Sequence, residues 1–284
     1  MPFSGHPASP ARRAGRPPES RCAATAPAAP DLRRRLLAGG SVLALLALAL
    51  GLRPSHLLAQ SGAAPVRIGV IGSGRIGGTI GGLWVQAGHP VLFSSRHPEE
   101  LKPLTDKLGP LARAGTVADA LAFADVILLA VPYKALPEIA GQNGNAFDGK
   151  VVVDATNAVR ARDGAIVDEA MSNGIGITTA KYLRGARVVR AFNFTGAADF
   201  AQNSRRAGAL MAVPIAADDP VALRVGAQLV RDAGFEPVVV GPLATANSFA
   251  TGGPLFRQMG SADELRARIA QEAGRPAAAG AMAK

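Results

Sequence analysis

The chain alternates short apolar runs with stretches of helical periodicity. Mostly apolar runs lie at residues 66–71, 91–93, 124–132 and 151–154. Runs of this length without a polar face are typical of strands that are buried on both sides of a parallel sheet. Between the first two runs, apolar residues recur every three or four positions over residues 76–87, which predicts a helix that ends near Gly88.

The second half of the chain continues the same alternation. The pattern predicts helices over residues 176–186 and 219–234, and strands over residues 187–193, 209–216 and 237–240. No linker rich in Pro, Gly or Ser separates the two halves, so we expect the sheet to continue through both. We therefore predict an α/β fold of the Rossmann type, with a doubly wound, mainly parallel sheet and a short C-terminal helical extension.

The first predicted strand leads directly into a glycine-rich loop. Gly72, Gly74 and Gly77 form the pattern G-x-G-x-x-G, with a strand before it and a helix after it. In that context the pattern indicates dinucleotide binding. Gly72 would allow the tight turn, Gly74 would let the backbone approach a pyrophosphate, and Gly77 would let the helix lie close to the strand. The phosphates would lie against the unpaired amides at the helix N-terminus.

Hydroxyl groups and a guanidinium follow the second predicted strand. An NAD site usually carries Asp or Glu here to bind the ribose 2′-hydroxyl, whereas this chain has Ser94, Ser95 and Arg96. An arginine can pair with a 2′-phosphate through two hydrogen bonds, and Arg75 in the glycine loop could close over the same group. The sequence therefore favours NADP over NAD. Capping of the following helix by Arg96 and His97 is the alternative role.

The ends of two later strands supply further candidate residues. Ligands of a doubly wound sheet bind outside the carboxyl ends of its strands. That rule selects Val131, Pro132 and Tyr133 after one predicted strand, and Thr156 and Asn157 after the next. We expect these residues to flank the nicotinamide and its ribose, with ordinary loop roles as the alternative.

Candidates for proton transfer and metal binding are few. Tyr133, Lys134, Lys181 and Tyr182 could donate protons, although surface roles are favoured for them. The four histidines are scattered without ligand spacing, and the single cysteine, Cys22, precedes the predicted fold. We therefore expect no metal site and no thiol chemistry.

Charge and composition argue against a nucleic-acid partner. The net charge is +10, but residues 1–60 hold eight arginines against Glu19 and Asp31, a balance of +6. The remainder carries only +4, an ordinary value for a folded domain. Aromatic residues make up 5% of the chain, too few for a surface that stacks on bases. We expect a small-molecule partner instead.

The first 63 residues have the composition of a leader. Residues 1–30 are rich in Pro, Ala and Arg, and three arginines, 33–35, precede an uncharged stretch over residues 36–52. A basic segment, an apolar segment and a small-residue site ending at Ala63 resemble a secretory signal, and the arginine pair resembles a twin-arginine signal. We expect export to the periplasm with cleavage. An uncleaved membrane anchor and a cytoplasmic protein with a start assigned too early are the alternatives.

Several of these segments together resemble one family. They are Gly72 to Gly77, Ser94 to Arg96, residues 124–132, residues 153–157, residues 188–193 and residues 232–237. In this order they resemble the NADPH-dependent reductases of the deazaflavin coenzyme F420, the NADP oxidoreductase (coenzyme F420-dependent) family. The resemblance covers about residues 66–245, and the same nucleotide domain occurs in pyrroline-5-carboxylate reductases.

The resemblance implies hydride transfer between NADPH and a flavin-like ring, such as the deazaflavin coenzyme or FMN. The residues that it implies for the pyrophosphate are Gly72, Ser73, Gly74, Arg75 and Ile76, with Gly77 completing the loop. Those that it implies for the 2′-phosphate are Ser94, Ser95 and Arg96. Those that it implies for the hydride-transfer pocket are Val131, Pro132, Asn157 and Asn193.

The domain organisation follows from this interpretation. Residues 1–63 would be a disordered leader with its signal, residues 64–158 the NADP-binding Rossmann domain, and residues 159–284 the continuation of the sheet with C-terminal helices. A homodimer remains open as the assembly. Two other functions also remain open, an imine or β-hydroxyacid reductase and an exported nucleotide-binding protein without catalysis. About 44 residues follow the last predicted strand, fewer than the long helical domain that imine reductases usually add.

Overall fold

A single sheet of eight strands forms the centre of the protein in the computed structural model, which describes residues 64–274. The predicted leader over residues 1–63 lies outside the described residues. The strands are Ile68–Ile71 (β1), Val91–Ser94 (β2), Ala112–Gly115 (β3), Val126–Leu129 (β4), Val151–Asp154 (β5), Arg187–Arg190 (β6), Ala212–Ala217 (β7) and Glu236–Gly241 (β8). Their order is β3-β2-β1-β4-β5-β6-β7-β8, and only the pairing of β6 with β7 is antiparallel within the described range.

Helices connect most of the strands. They are Arg75–Gln86 (α1), Lys102–Leu108 (α2), Val117–Phe123 (α3), Leu136–Asn143 (α4), Arg160–Asp163 (α5), Ile166–Asn173 (α6), Ile175–Tyr182 (α7), Ala197–Asn203 (α8), Pro220–Asp232 (α9) and Ala262–Ala273 (α10). Short 3-10 turns lie at Pro98–Leu101, Tyr133–Ala135, Gly144–Phe147 and Leu243–Phe249. The α/β Rossmann-type architecture with a mainly parallel sheet and a C-terminal helix is confirmed.

Two neighbouring residues of β1 show how the helices divide between the faces of the sheet. A Cβ at Gly69 would lie 2.7 Å from the carbonyl oxygen of Ala120 on α3, whereas the side chain of Val70 packs under α1 at Gly77. Successive side chains of a strand point to opposite faces, so α1 and α3 lie on opposite sides. Helix α9 shares the layer of α1, because the Trp84 indole nitrogen donates a hydrogen bond of 2.7 Å to the Leu229 carbonyl.

An aromatic cluster closes the core beneath the end of β6. Phe192 packs edge-to-face on Trp84 at 5.8 Å and on Phe200 at 5.6 Å between ring centroids. Its backbone has φ of 61°, a left-handed conformation that is rare for a bulky residue. The burial of its ring against these neighbours compensates for that backbone strain. The chain therefore turns sharply just before Asn193.

Some predicted elements differ from the observed ones. The strand predicted over residues 187–193 ends at Arg190, because the left-handed turn at Phe192 interrupts it. The edge strand β3 has no apolar pattern, since most of its short sequence Ala-Arg-Ala-Gly faces solvent. Within residues 64–274, no helix is both long and apolar enough to cross a bilayer.

Candidate functional site

The glycine loop joins β1 to α1 and lies against the end of β4. Gly72 has φ of +97°, and a Cβ there would lie 2.6 Å from the Ala130 carbonyl oxygen and 2.7 Å from the Val131 side chain. A glycine is therefore required both by the backbone conformation and by the close approach of the two loops. Gly74 is the N-cap of α1, without a side-chain cap and with no acidic residue in the first helical turn. The first amides of α1 are thus free to bind an anion.

Gly77 provides the close contact between α1 and the loop. A Cβ at this position would lie 2.1 Å from the carbonyl oxygen of Gly72 and 2.9 Å from Val70. The backbone atom cannot move without displacing the loop, and overpacking of this kind costs about 1–3 kcal/mol.

We expect Gly77→Ala to lower the free energy of unfolding by that amount, and to weaken dinucleotide binding because the loop shifts. Chemical denaturation measures the first effect and calorimetric titration the second. Gly74→Ala is the matched control for the stability measurement, since nothing lies within 4 Å of a Cβ at Gly74. Equal stability losses in the two variants would contradict this role of Gly77.

The end of β2 is tied to the glycine loop through Ser94. The amide and the hydroxyl of Ser73 both donate to the Ser94 carbonyl oxygen, at 3.3 and 3.0 Å. The Ser94 hydroxyl donates to the Val70 carbonyl at 2.8 Å, and the residue is 1% exposed. The expectation that the Ser94 side chain contacts a 2′-phosphate is therefore corrected: β2 extends through this residue, and its hydroxyl is used inside the sheet.

Ser95 and Arg96 remain accessible beyond the strand. The Ser95 hydroxyl accepts a hydrogen bond of 3.1 Å from the His97 amide. Arg96 and Arg75 are both exposed, and neither guanidinium has a hydrogen-bond or ion-pair partner in the described part of the chain. The His97 ring lies 3.5 Å from the Glu99 carboxylate at the surface. Two unpaired cations therefore flank the glycine loop, as a bound phosphate would require.

Two of the residues that follow β4 lie at the surface of the site, and one lies beneath it. Val131 is half-buried and Pro132 is exposed. Tyr133 is fully buried, and its hydroxyl donates to the Ile175 carbonyl at 3.1 Å. Burial raises the pKa of the Tyr133 hydroxyl above its usual range. Tyr133 is thus a core residue and does not flank the nicotinamide pocket as expected.

Two of the other three candidate proton donors are paired with a neighbouring carboxylate. The Lys181 ammonium lies 2.6 Å from the Glu169 carboxylate, and the Tyr182 hydroxyl donates to the same carboxylate at 2.8 Å. The Lys134 side chain is exposed, and its backbone amide donates to Asp163. No group of three or more His, Cys, Asp or Glu side chains within residues 64–274 could hold a metal ion.

Asn157 and Asn193 meet where β5 and β6 end. The Asn157 side-chain nitrogen Nδ2 donates to the Asn193 backbone carbonyl at 2.5 Å, and the Asn193 side-chain nitrogen lies 3.4 Å from Asn157 Oδ1. Asn193 is 1% exposed, and its Oδ1 atom has no hydrogen-bond partner. A buried acceptor without a partner is costly, so an N–H or O–H group of a ligand would satisfy it.

The segment around Phe249 and Thr251 contacts both asparagines, and the sequence did not indicate these contacts. The Thr251 amide donates to Asn157 Oδ1 at 3.2 Å, and Asn193 Nδ2 lies 3.4 Å from the Phe249 carbonyl oxygen. These contacts involve backbone groups of a segment without a motif, so sequence reasoning had no signal for them. Both asparagines of the predicted hydride-transfer pocket are thereby held in place from two directions.

Thr156 supports the pocket from below. It is 2% exposed, and its amide and hydroxyl both donate to Asp154 Oδ1, at 2.9 and 2.7 Å. The expected contact of Thr156 with the nicotinamide ribose is therefore corrected, because its polar groups are used within the protein. Val131, Asn157 and Asn193 nevertheless come together at the ends of β4, β5 and β6, which are neighbours in the sheet.

A groove of about 800 Å³ begins at the glycine loop and runs along the outer side of α1. Ser73 and Arg75 line its entrance, and residues of α2 and α8 form its walls. Its lining does not include the predicted hydride-transfer pocket. The groove and the strand ends thus meet only at the glycine loop.

Comparison with known proteins agrees with this geometry. Residues 67–158 match the model of a family described as NADP oxidoreductase, coenzyme F420-dependent. No curated protein is significantly similar to the chain.

Three solved structures are similar to different degrees. A hypothetical protein, SMa0349, from Sinorhizobium meliloti is 31% identical with a TM-score of 0.61, and the alignment covers 69% of this chain and 95% of that one. A candidate F420-dependent NADP reductase from Arthrobacter sp. FB24 is 23% identical with a TM-score of 0.57, covering 64% and 87%. A pyrroline-5-carboxylate reductase from Coxiella burnetii is 16% identical with a TM-score of 0.49, covering 66% and 64%.

Proposed function

We propose that this chain, whose residues 67–158 match the NADP oxidoreductase, coenzyme F420-dependent, family, transfers a hydride between NADPH and a flavin-like or deazaflavin acceptor. The family match indicates an NAD(P)-dependent oxidoreductase; the choice of NADPH and of the acceptor is the proposal. One observation carries it: the glycine loop, Val131, Asn157 and Asn193 lie at the ends of four neighbouring strands, β1, β4, β5 and β6.

The residues present fit a phosphorylated dinucleotide. The space beside Gly74 is open, and the α1 amides next to it have no competing acid. Arg75, the first residue of α1, and Arg96, which follows the end of β2, supply unpaired positive charge. The unsatisfied Oδ1 atom of Asn193 would accept a hydrogen bond from a carboxamide or a ring N–H. These features together support NADP(H) as the cofactor.

The chain's own contribution to the reaction would be alignment rather than acid-base chemistry. NADPH, when bound, supplies the hydride. Asn157 and Asn193 hold each other and would orient the ring that lies against them. Positioning of two reactants can supply about 7–11 kcal/mol of the barrier. Tyr133, whose hydroxyl is buried and hydrogen-bonded away from the strand ends, does not act as the proton donor.

Steady-state oxidation of NADPH by the purified full-length chain tests the proposal. We expect absorbance at the NADPH band to decrease when coenzyme F420 or FMN is present, and to stay constant without an acceptor. Turnover with cyclic imines or oxo acids but not with flavins would favour the imine or β-hydroxyacid reductase. Binding of NADPH without turnover of any acceptor would identify a nucleotide-binding protein.

We also propose that residues 1–63 direct export through a twin-arginine signal, which is a separate matter from the activity. The support is the pair Arg34 and Arg35, which two leucines and an uncharged stretch follow directly. We expect replacement of both arginines by lysine to leave the protein in the cytoplasm, as measured by cell fractionation with an antibody to the folded part. Replacement of Arg12 and Arg13 by lysine is the matched control. Unchanged fractionation of both variants would argue against this route.

A further inference from the structure

A fully buried ion pair links β5 to β6 directly beneath the proposed hydride-transfer pocket. Arg190 Nη1 lies 2.5 Å from Asp154 Oδ2, and both side chains are 0% exposed. The two residues face each other in the register of the parallel pair. Removing two charges from water is costly, and apolar residues of similar size often give equal or greater stability. Net stability is therefore a poor explanation for this pair.

The remaining groups of the pair are directed at a single residue, Thr156. Arg190 Nη1 also donates to the Thr156 hydroxyl at 3.2 Å, and Nη2 donates to the Thr156 carbonyl at 2.6 Å. Asp154 Oδ1 accepts hydrogen bonds from the amide and hydroxyl of the same residue. Every polar atom of Thr156 is thus held by a charged partner, and such bonds are shorter and stronger than neutral ones.

One donor of the guanidinium has no partner. Arg190 Nε is buried without a hydrogen bond, a defect that a core optimised for stability would avoid. The other two nitrogens, Nη1 and Nη2, donate at the same time to the Asp154 carboxylate and to the Thr156 carbonyl. A rigid planar fork can do this, whereas a lysine ammonium cannot.

Thr156 connects the ion pair to the pocket, because the next residue is Asn157. The Asn157 side chain donates to the Asn193 carbonyl and accepts from the Thr251 amide. We propose that Arg190 is a positioning residue: through Thr156 it sets the place of Asn157, and hence the alignment of the two reacting rings. The catalytic part of this inference depends on the proposed function, whereas the placement of Asn157 can be measured without it.

The test compares Arg190→Lys with Arg187→Lys in the full-length chain. Arg187 lies at the exposed start of the same strand and is the matched control. Two kinds of experiment are carried out well below the melting temperature of either variant. The first is hydrogen exchange of the Thr251 amide, followed by NMR without ligand. The second is steady-state NADPH oxidation, which gives KM and kcat. A separate titration gives the dissociation constant of NADPH.

For Arg190→Lys we expect exchange of the Thr251 amide to become at least tenfold faster and kcat to fall about 10- to 100-fold, since a misplacement of about 1 Å can cost 100-fold in rate. The dissociation constant of NADPH should change less than about threefold, because the glycine loop and Arg96 are untouched. Arg187→Lys should leave all of these quantities unchanged.

Should Arg190→Lys fail to fold, Thr156→Val carries the same test. It removes only the hydroxyl and should change Thr251 exchange and kcat in the same direction by a smaller factor. A folded Arg190→Lys or Thr156→Val that melts earlier but keeps wild-type exchange and kcat would overturn the inference, since the ion pair would then be merely structural. If the wild-type chain oxidises no NADPH, the proposed function fails, and Thr251 exchange alone decides the placement of Asn157.

Discussion

Gly74→Val abolishes binding of NADPH and NADH while the protein remains folded; this is the largest effect that we expect. The backbone at Gly74 is extended, with φ of −72° and ψ of −156°, so it does not have the positive φ that favours glycine. A Cβ there meets no protein atom within 4 Å, so the added methyl groups occupy the space proposed for the pyrophosphate. We expect the dissociation constant to rise by at least about 100-fold, or roughly 2.7 kcal/mol.

Calorimetric titration with both coenzymes measures the loss, and thermal melting followed by circular dichroism checks the fold. Gly141→Val is a matched control, because a Cβ at Gly141 also meets nothing within 4 Å and the residue lies on α4, outside the site. A folded Gly74→Val that titrates like the wild type would remove the basis for placing the pyrophosphate at this loop.

Arg96→Ala raises the dissociation constant of NADPH about 10- to 100-fold and changes that of NADH less than about twofold, since hydrogen bonds to charged groups contribute about 1.5–3 kcal/mol. Only NADPH carries the phosphate that the exposed guanidinium would bind. Arg96 has no ion pair to lose among residues 64–274, so its removal should not alter the fold. Fluorescence titration of both coenzymes at fixed ionic strength measures the two constants.

Arg224→Ala is the control for this variant, because Arg224 is an exposed arginine on α9. It should leave both constants unchanged. Equal losses for NADPH and NADH in Arg96→Ala would mean that the guanidinium binds a part shared by both coenzymes, and the preference for NADP would lose its support. High salt should reduce the difference between the coenzymes, because the contact is electrostatic and exposed.

The glycine loop could be predicted in detail because its geometry is local. The positive φ of Gly72 and the contact of Gly77 with Gly72 and Val70 involve residues within a few positions of each other in the chain, whereas the approach of Gly72 to Ala130 is a distant contact. The buried strands could be predicted for a similar reason: four apolar residues in β4 leave no polar face to expose. The hydrophobic pattern of a strand is the same for parallel and antiparallel pairing, however, so the antiparallel placement of β7 beside β6 could not be predicted.

The roles of individual polar residues depended on distant contacts. Ser94 carries a hydroxyl of the kind that binds phosphate, but this hydroxyl donates a hydrogen bond to the Val70 carbonyl of β1. Arg190 carries a charge within a strand sequence, and its complete burial follows from Asp154 on the neighbouring strand. Phe249 and Thr251 contact the pocket asparagines through backbone groups. Every residue type has these groups, so the sequence did not indicate the contacts.

The sequence by itself determined the alternation of strands and helices, the position of the glycine loop and the presence of arginines near it. These properties depend on periodicity and on neighbours along the chain. Only the tertiary structure decided which polar groups remain free for a ligand, because hydrogen bonds within the fold engage the side chains of Ser94, Thr156 and Tyr133. A donor satisfied inside the core is not free for a ligand, and the partners of Ser94 and Tyr133 lie 24 and 42 residues away in the chain.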